Sequence, residues 1–274
     1  MTVTRDPGAT ALKPFTIITG GSEGIGHAIA QRFAAQQHNL LLIARSESKL
    51  SAAAAELRKA SGAQVHILSL DITASGAPSE IDAALAGAGG YAHILVNNAG
   101  IGLSGAFAEH QREEVERLLD LNVKALTVLT HHVLPGMRQR RAGGVINLAS
   151  LGGYAPGPWQ AAYYASKAYV LSFSEAVAAE VAVDGVRVCA VAPGPVNTAF
   201  HERMGAEGAW YRRLVPPLRP ETVAWWTDRG FRLGLRVIVP GLINMLMSLA
   251  LQLVPHRILV PIVGWLLRPE TRET

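Results

Sequence analysis

Six short apolar runs, each followed by an amphipathic stretch, restrict this chain to one class of architecture. The runs are residues 15–19, 40–44, 65–70, 94–97, 145–149 and 186–192, and most are rich in Ile, Leu and Val. They lack the polar alternation of a half-exposed strand, so both of their faces are expected to be buried. The intervening residues 25–37, 47–60, 79–86, 112–141 and 161–183 carry helical periodicity. Strands apolar on both sides and joined by helices form a parallel sheet covered on both faces. A helix at 221–230 and a seventh strand at 235–239 are expected to complete it. The expectation is a single α/β domain with a doubly wound, seven-stranded parallel sheet. A composition 49% hydrophobic and 17% charged supplies the core this needs and excludes a disordered chain.

The ends differ from the body. Residues 1–13 are a polar tail broken by Pro7 and Gly8, with no apolar segment of a signal peptide. A single cysteine, Cys189, excludes a disulfide framework and a thiolate metal cluster and fits the cytoplasm. The net charge is +4, yet Arg229, Arg232, Arg236, Arg257 and Arg268 lie in a stretch without one acid. The remainder is therefore slightly acidic, which argues against nucleic acid and leaves a membrane surface or acidic partner open. Residues 237–254 and 258–267 carry no charge. The longer run falls short of the about 20 residues a membrane span needs, and Pro240 interrupts it early. These residues are expected to form a helical extension, 241–274. Packing on the body or a second subunit ranks first for it, and peripheral membrane contact second.

The first strand ends in Thr19-Gly20-Gly21-Ser22-Glu23-Gly24-Ile25-Gly26, where a helix begins. A strand turning sharply into a helix aims several backbone N–H groups, and the positive end of the helix dipole, at one point. Glycines there let a pyrophosphate approach, so the turn points to a dinucleotide. The second strand ends at Arg45 with no acid before Glu47. An arginine suits a 2′-phosphate, whereas an acid would bind a free ribose hydroxyl. NADP is thus favoured over NAD, with the hydroxyls of Ser22 and Ser46 in support and Glu23 opposing.

Ser150 follows the fifth strand, and Tyr163 and Lys167 stand four apart at the start of the next helix, on one face. A tyrosine with a pKa of about 10 is brought toward working range by a nearby ammonium. A serine at the C-terminal end of a parallel strand lies where ligands of open α/β sheets bind.

Together these motifs resemble the short-chain dehydrogenase/reductase family over about residues 14–240. Thr19-Gly-x-x-x-Gly-Ile-Gly26 resembles its cofactor turn, and Asn97-Asn98-Ala99-Gly100 its motif after strand four. Tyr163-x-x-x-Lys167, with Ser150 upstream and Asn122 in Leu121-Asn122-Val123, resembles its catalytic set. The resemblance implies a Rossmann fold with Tyr163 as general acid or base and Lys167 lowering its pKa and holding the nicotinamide ribose. It implies Ser150 on the carbonyl oxygen and Asn122 in a proton relay from Lys167. It implies cofactor contacts from Gly20, Ser22, Glu23, Gly24, Ile25 and Gly26. Further contacts are implied from Arg45, Asp71, Ile72, Asn98, Ala99 and Gly100, and from Pro193, Gly194, Val196 and Thr198 beside Tyr163 and Lys167. It implies a homodimer or homotetramer pairing helices 112–141 and 161–183. The apolar ending resembles a bacterial subgroup of acyl- and keto-reductases.

A lid is expected at about 196–218, with Phe200, Met204, Trp210, Tyr211, Leu214 and Val215 for an apolar substrate. Arg203, Arg212 and Arg213 are candidates for a carboxylate or phosphate. The sequence therefore points to an oxidoreductase that reduces an apolar ketone or aldehyde, or oxidises the alcohol. The alternatives are a 3-oxoacyl-thioester reductase and a non-catalytic nucleotide-binding or membrane-peripheral protein. His110, His131, His132, His201 and His256 lack metal-ligand spacing, and no metal is expected.

Overall fold

The computed structural model describes residues 12–205 and 216–268. Seven parallel strands form one sheet: β1 (Lys13–Thr19), β2 (Asn39–Ala44), β3 (Val65–Ser69), β4 (Gly90–Asn97), β5 (Gly144–Leu148), β6 (Arg187–Val191) and β7 (Val237–Ile238). Their order is β3-β2-β1-β4-β5-β6-β7. The winding reverses between β1 and β4, so a crevice opens at the C-terminal ends of these two strands.

Alternate side chains of each strand feed opposite faces. Ile18, Leu40, Leu42, Val96 and Ile146 are buried on one face under α1 (Gly24–Ala35) and α2 (Glu47–Ser61). Val223, Ala224 and Phe231 of α8 (Pro220–Arg232) complete that layer. Phe15, Ile17, Leu41, Leu95 and Val145 are buried on the other face under α3 (Ala77–Gly87), α5 (Leu126–Arg140) and α6 (Ala161–Val181). Ser46 caps α2 by accepting the Lys49 N–H at 3.4 Å, and Gly62 ends that helix at φ 71°.

Two elements differ from expectation, and the C-terminal extension is helical as expected. The helix expected at 112–141 divides into α4 (Arg112–Leu119), a π turn (Asp120–Ala125) and α5. The seventh strand is two residues long, because only Val237 and Ile238 pair with β6, at Ala190 and Val191, before Pro240 ends it. The extension forms α9 (Leu242–Leu253) and α10 (His256–Leu267), and only one side of the pair is covered. Leu259, Val263 and Leu267 bury against Ala155, and Trp159 Nε1 donates to the Gly264 carbonyl at 3.1 Å. Among the described residues no helix is long and apolar enough to cross a membrane.

Candidate active site

A cleft of about 730 Å³ lies along the C-terminal edge of the sheet. Its floor is the glycine turn. Gly20 and Gly24 sit at φ 64° and 58°, conformations that side chains other than glycine's rarely adopt. At Gly26 the obstacle is space: a Cβ would lie 2.4 Å from both the Gly20 carbonyl oxygen and Asn98 Nδ2. No side chain caps the N-terminus of α1, which leaves its first-turn N–H groups to a ligand. A tight turn with uncapped N–H groups fits a pyrophosphate.

The turn is pinned by the next strand over. Asn98 Nδ2 donates to the Thr19 and Gly20 carbonyls at 2.9 and 3.1 Å. The Thr19 hydroxyl accepts from the N–H groups of Asn98 and Ala99 at 3.0 and 3.1 Å. The Asn98 side chain therefore braces the glycine turn. Deeper in the sheet, Asn97 Nδ2 donates to Asn147 Oδ1 at 2.9 Å, and Asn147 Nδ2 donates to Ser174 at 2.9 Å. This buried polar chain ties β4 and β5 to α6; nothing in the spacing of Asn147 and Ser174 announced it.

At the β2–β3 end, Arg45 and Asp71 line the cleft with the buried Ile72. The Thr73 backbone N–H, then the Thr73 hydroxyl, hold the Asp71 carboxyl below its ordinary pKa against partial burial, with Arg45 assisting. The Ser46 hydroxyl is engaged in capping α2. Lys49, which the sequence reading passed over, reaches back to Glu23 at 3.0 Å. Arg203 reaches the same carboxylate from the lid. Burial works to raise the Glu23 pKa, but the Lys49 and Arg203 hydrogen bonds and charges outweigh it and hold the carboxyl low. Arg203 thus faces the glycine turn rather than a substrate anion. Arg212 and Arg213 lie outside the described residues, as do Trp210, Tyr211, Leu214 and Val215.

At the other end the structure brings Ser150, Tyr163 and Lys167 together. Ser150 leaves β5 and accepts the Gly152 N–H at 3.1 Å. Burial pushes the Tyr163 pKa up to about 12, opposed by a hydrogen bond with Ser150; the lowering by Lys167 expected from the sequence is not seen, because burial dominates. Burial brings Lys167 down to about 8, and its Nζ donates to the Leu148 carbonyl at 2.7 Å, 5.7 Å from the centre of the Tyr163 ring. Asn122 sits in the π turn with its carboxamide on the Ile101 backbone: Nδ2 donates to the carbonyl at 2.8 Å and Oδ1 accepts the N–H at 3.0 Å. Its Nδ2 also donates to Ser166 at 3.2 Å. A Cβ at Gly100 would lie 3.2 Å from Asn122 Oδ1 and 3.7 Å from Lys167 Nζ, so this glycine leaves the contact room.

The two bounds of the segment expected as a lid meet at one place. Val196 and Leu218 form a parallel bridge, and the Leu218 N–H donates to the Pro195 carbonyl at 2.8 Å. Between them α7 (Phe200–Arg203) leans over the cleft, with Phe200 5.7 Å from Tyr163 between ring centres and Met204 against Gly102. Thr198 packs on Gly24, and Pro193 O accepts the Leu151 N–H at 2.9 Å. Gly194 touches Asn244 of α9, a contact the sequence reading did not anticipate. Met247, Leu251, Val263, Leu266 and Leu267 bring the extension into the cleft wall. His132 pairs with Asp82 at 2.8 Å, and among the described residues no cluster of three His, Cys, Asp or Glu is placed to hold a metal.

A family model described as short chain dehydrogenase matches residues 14–208. The chain is 34% identical over 223 residues to the NADP-dependent 3-hydroxy acid dehydrogenase of Escherichia coli O6:H1, covering 77% of this chain and 88% of that one. It is similar in structure to a short-chain dehydrogenase from Sphingobium yanoikuyae in complex with NADPH, with a TM-score of 0.76, 35% identity, and coverage of 84% and 88%. It is also similar to the bulky-bulky ketone specific alcohol dehydrogenase from Comamonas testosteroni, with a TM-score of 0.73, 28% identity, and coverage of 90% and 96%.

Proposed function

The chain belongs to the short-chain dehydrogenase family, and from that premise we propose that it reduces an apolar ketone or aldehyde with NADPH, or oxidises the corresponding alcohol. The family makes it an oxidoreductase of alcohol and carbonyl groups with NAD(P). The observation that carries the finer reading is the meeting of Ser150, Tyr163 and Lys167 in a cleft whose far wall is Phe200, Met204, Met247 and Leu251. Aromatic and aliphatic walls with few polar groups select an apolar substrate. The bulky-ketone specificity of the Comamonas relative supports the same class.

When bound, the nicotinamide supplies or accepts the hydride. The chain supplies the proton and the orientation. Ser150 donates to the substrate oxygen and Tyr163 protonates it. A pKa near 12 keeps Tyr163 a phenol at neutral pH, ready to donate. A pKa near 8 leaves Lys167 mostly an ammonium at pH 7, and its charge favours the phenolate left behind. The Leu148 carbonyl fixes that ammonium. Asn122 holds the loop carrying Gly100 and Ile101 against the site, and we assign the relay from Lys167 to solvent to this region.

The first-turn N–H groups of α1, Gly20, Gly24 and Gly26 would hold the pyrophosphate, with Asp71 and Ile72 beside the adenine. Arg45 and Lys49 favour a 2′-phosphate, and the NADPH complex of the Sphingobium relative supports that choice. The thioester alternative loses ground because Arg203 faces Glu23. We keep residues 14–240 as the catalytic body and 241–274 as the extension, whose helices α9 and α10 complete the wall. We further propose a homo-oligomer paired through α5 and α6, on whose surface Val128 and Tyr169 stand exposed.

The test is a screen of NADPH and NADH against steroids, acyl chains, aldehydes and sugars, repeated with Tyr163→Phe. The expected result is turnover of a bulky apolar carbonyl with NADPH, falling about 10²-fold or more in the variant. Normal turnover by the variant would refute the assignment of Tyr163.

A further inference from the structure

Helix α9 faces the wrong way for a protein surrounded by water. Leu242, Leu246, Leu249 and Leu253 recur at i, i+4, i+7 and i+11 and form one outward stripe, between 56 and 80% exposed. Its inward side carries Asn244 and Ser248, both buried. Asn244 donates to the Pro240 carbonyl at 2.7 Å and Ser248 to the Met245 carbonyl at 2.8 Å. On α10 the outward positions are Ile258, Ile262 and Trp265, each about half exposed. Neither stripe contains a charged residue, and exposed apolar rows of this kind mark an interaction site.

The charges around the surface select its occupant. Arg236, Arg257 and Arg268 stand at the ends of the two apolar runs, with no carboxylate from residue 235 to residue 268. A twofold pairing of this face with a second copy would bring the same arginines together, with no carboxylate from residues 235–268 to answer them. Anionic lipid headgroups provide the missing negative charge, and the apolar stripe matches the acyl boundary beneath them. Each helix has 12 residues, about 18 Å, against a hydrocarbon core of about 30 Å, so the pair lies along a bilayer rather than through it.

We propose that the outer face of α9 and α10 docks the enzyme on an anionic membrane surface. The inner side of the same pair walls the cleft with Met247, Leu251, Val263 and Leu267. A docked molecule therefore holds its substrate cavity one helix layer from the lipid, and a lipid-dissolved carbonyl compound is the substrate class it takes. That second statement rests on the reductase reading; the docking does not.

The experiment is co-sedimentation of the full chain with vesicles of phosphatidylcholine alone and of phosphatidylcholine with phosphatidylglycerol, at low and high salt. The wild type is expected to pellet with the anionic vesicles and to be released by salt. Leu246→Gln with Leu249→Gln is expected to lower the partition about tenfold or more, and Arg257→Gln with Arg268→Gln several-fold. Unchanged NADPH binding by fluorescence shows that the variants are folded. A wild type that stays in the supernatant, or variants that pellet like it, overturns the proposal. So does sedimentation velocity without lipid in which the leucine variant breaks an oligomer while vesicles capture nothing. Vesicle binding with no turnover of any ketone would leave the docking standing and sink the reductase reading alone.

Discussion

Replacing Lys167 with Met should abolish turnover and at the same time remove a burden on the fold that depends on pH. The lysine is 7% exposed, and burial lowers its pKa from 10.5 to about 8. A lowered lysine is the reverse of a stabilising ion pair. Between about pH 8 and 10.5 the unfolded chain holds a proton that the folded chain has released, so wild-type stability rises with pH there. Below pH 8 both states are protonated and the full penalty stands, on the order of 3 kcal/mol. Integrated from pH 7 to pH 9, the penalty eases by on the order of 1 kcal/mol. That window stays below the titration of ordinary tyrosines. Lys167→Met has no such group, although it leaves the Leu148 carbonyl without its donor, an offset of about 1–3 kcal/mol that does not vary with pH. Urea unfolding of both cofactor-free proteins, followed by tryptophan fluorescence at pH 7 and pH 9, gives the comparison. The stability advantage of the variant over the wild type should shrink by on the order of 1 kcal/mol at the higher pH. Parallel pH dependence in the two proteins would refute the claim that Lys167 is held in the folded chain at a desolvation penalty.

Glu23→Gln should free Lys49 and Arg203, lowering the KM for NADPH relative to NADH by about two- to fivefold, as expected for exposed ion pairs; an unchanged ratio places the 2′-phosphate elsewhere. Gly26→Ala should weaken cofactor binding about tenfold or more and destabilise the fold by about 1–3 kcal/mol, read by fluorescence titration and thermal melting, because the new Cβ meets backbone at 2.4 Å. Asn122→Ala should cost about 1–3 kcal/mol through the unpaired Ile101 groups and lower kcat more than KM, measured in steady state with the carbonyl substrate.

The sheet was readable because its strands are apolar on both faces, a pattern that requires cover on both sides. The glycine turn and the Ser150, Tyr163 and Lys167 set were readable because their chemistry depends on short local spacings. What escaped depended on partners far apart in sequence. Lys49 is an ordinary helix lysine until the fold lays it beside Glu23. Arg203 looked free for a substrate until the lid folded it onto the same carboxylate. The break at Asp120–Ala125 escaped because a π turn keeps helical periodicity on either side and shows only as a change of phase. The inward Asn244 and Ser248 escaped because an apolar helix reads the same whichever side it presents.

That phase change limits how the chain can vary in length. The π turn accommodates one residue more than an α-helix of the same rise, so α5 is rotated by about 100° from where α4 alone would carry it. Removing a single residue from 120–125 would give a smoother helix and swing the Asn122 carboxamide away from Ile101. Insertions and deletions in this region belong outside 120–125, and the irregular turn is the part that must keep its count.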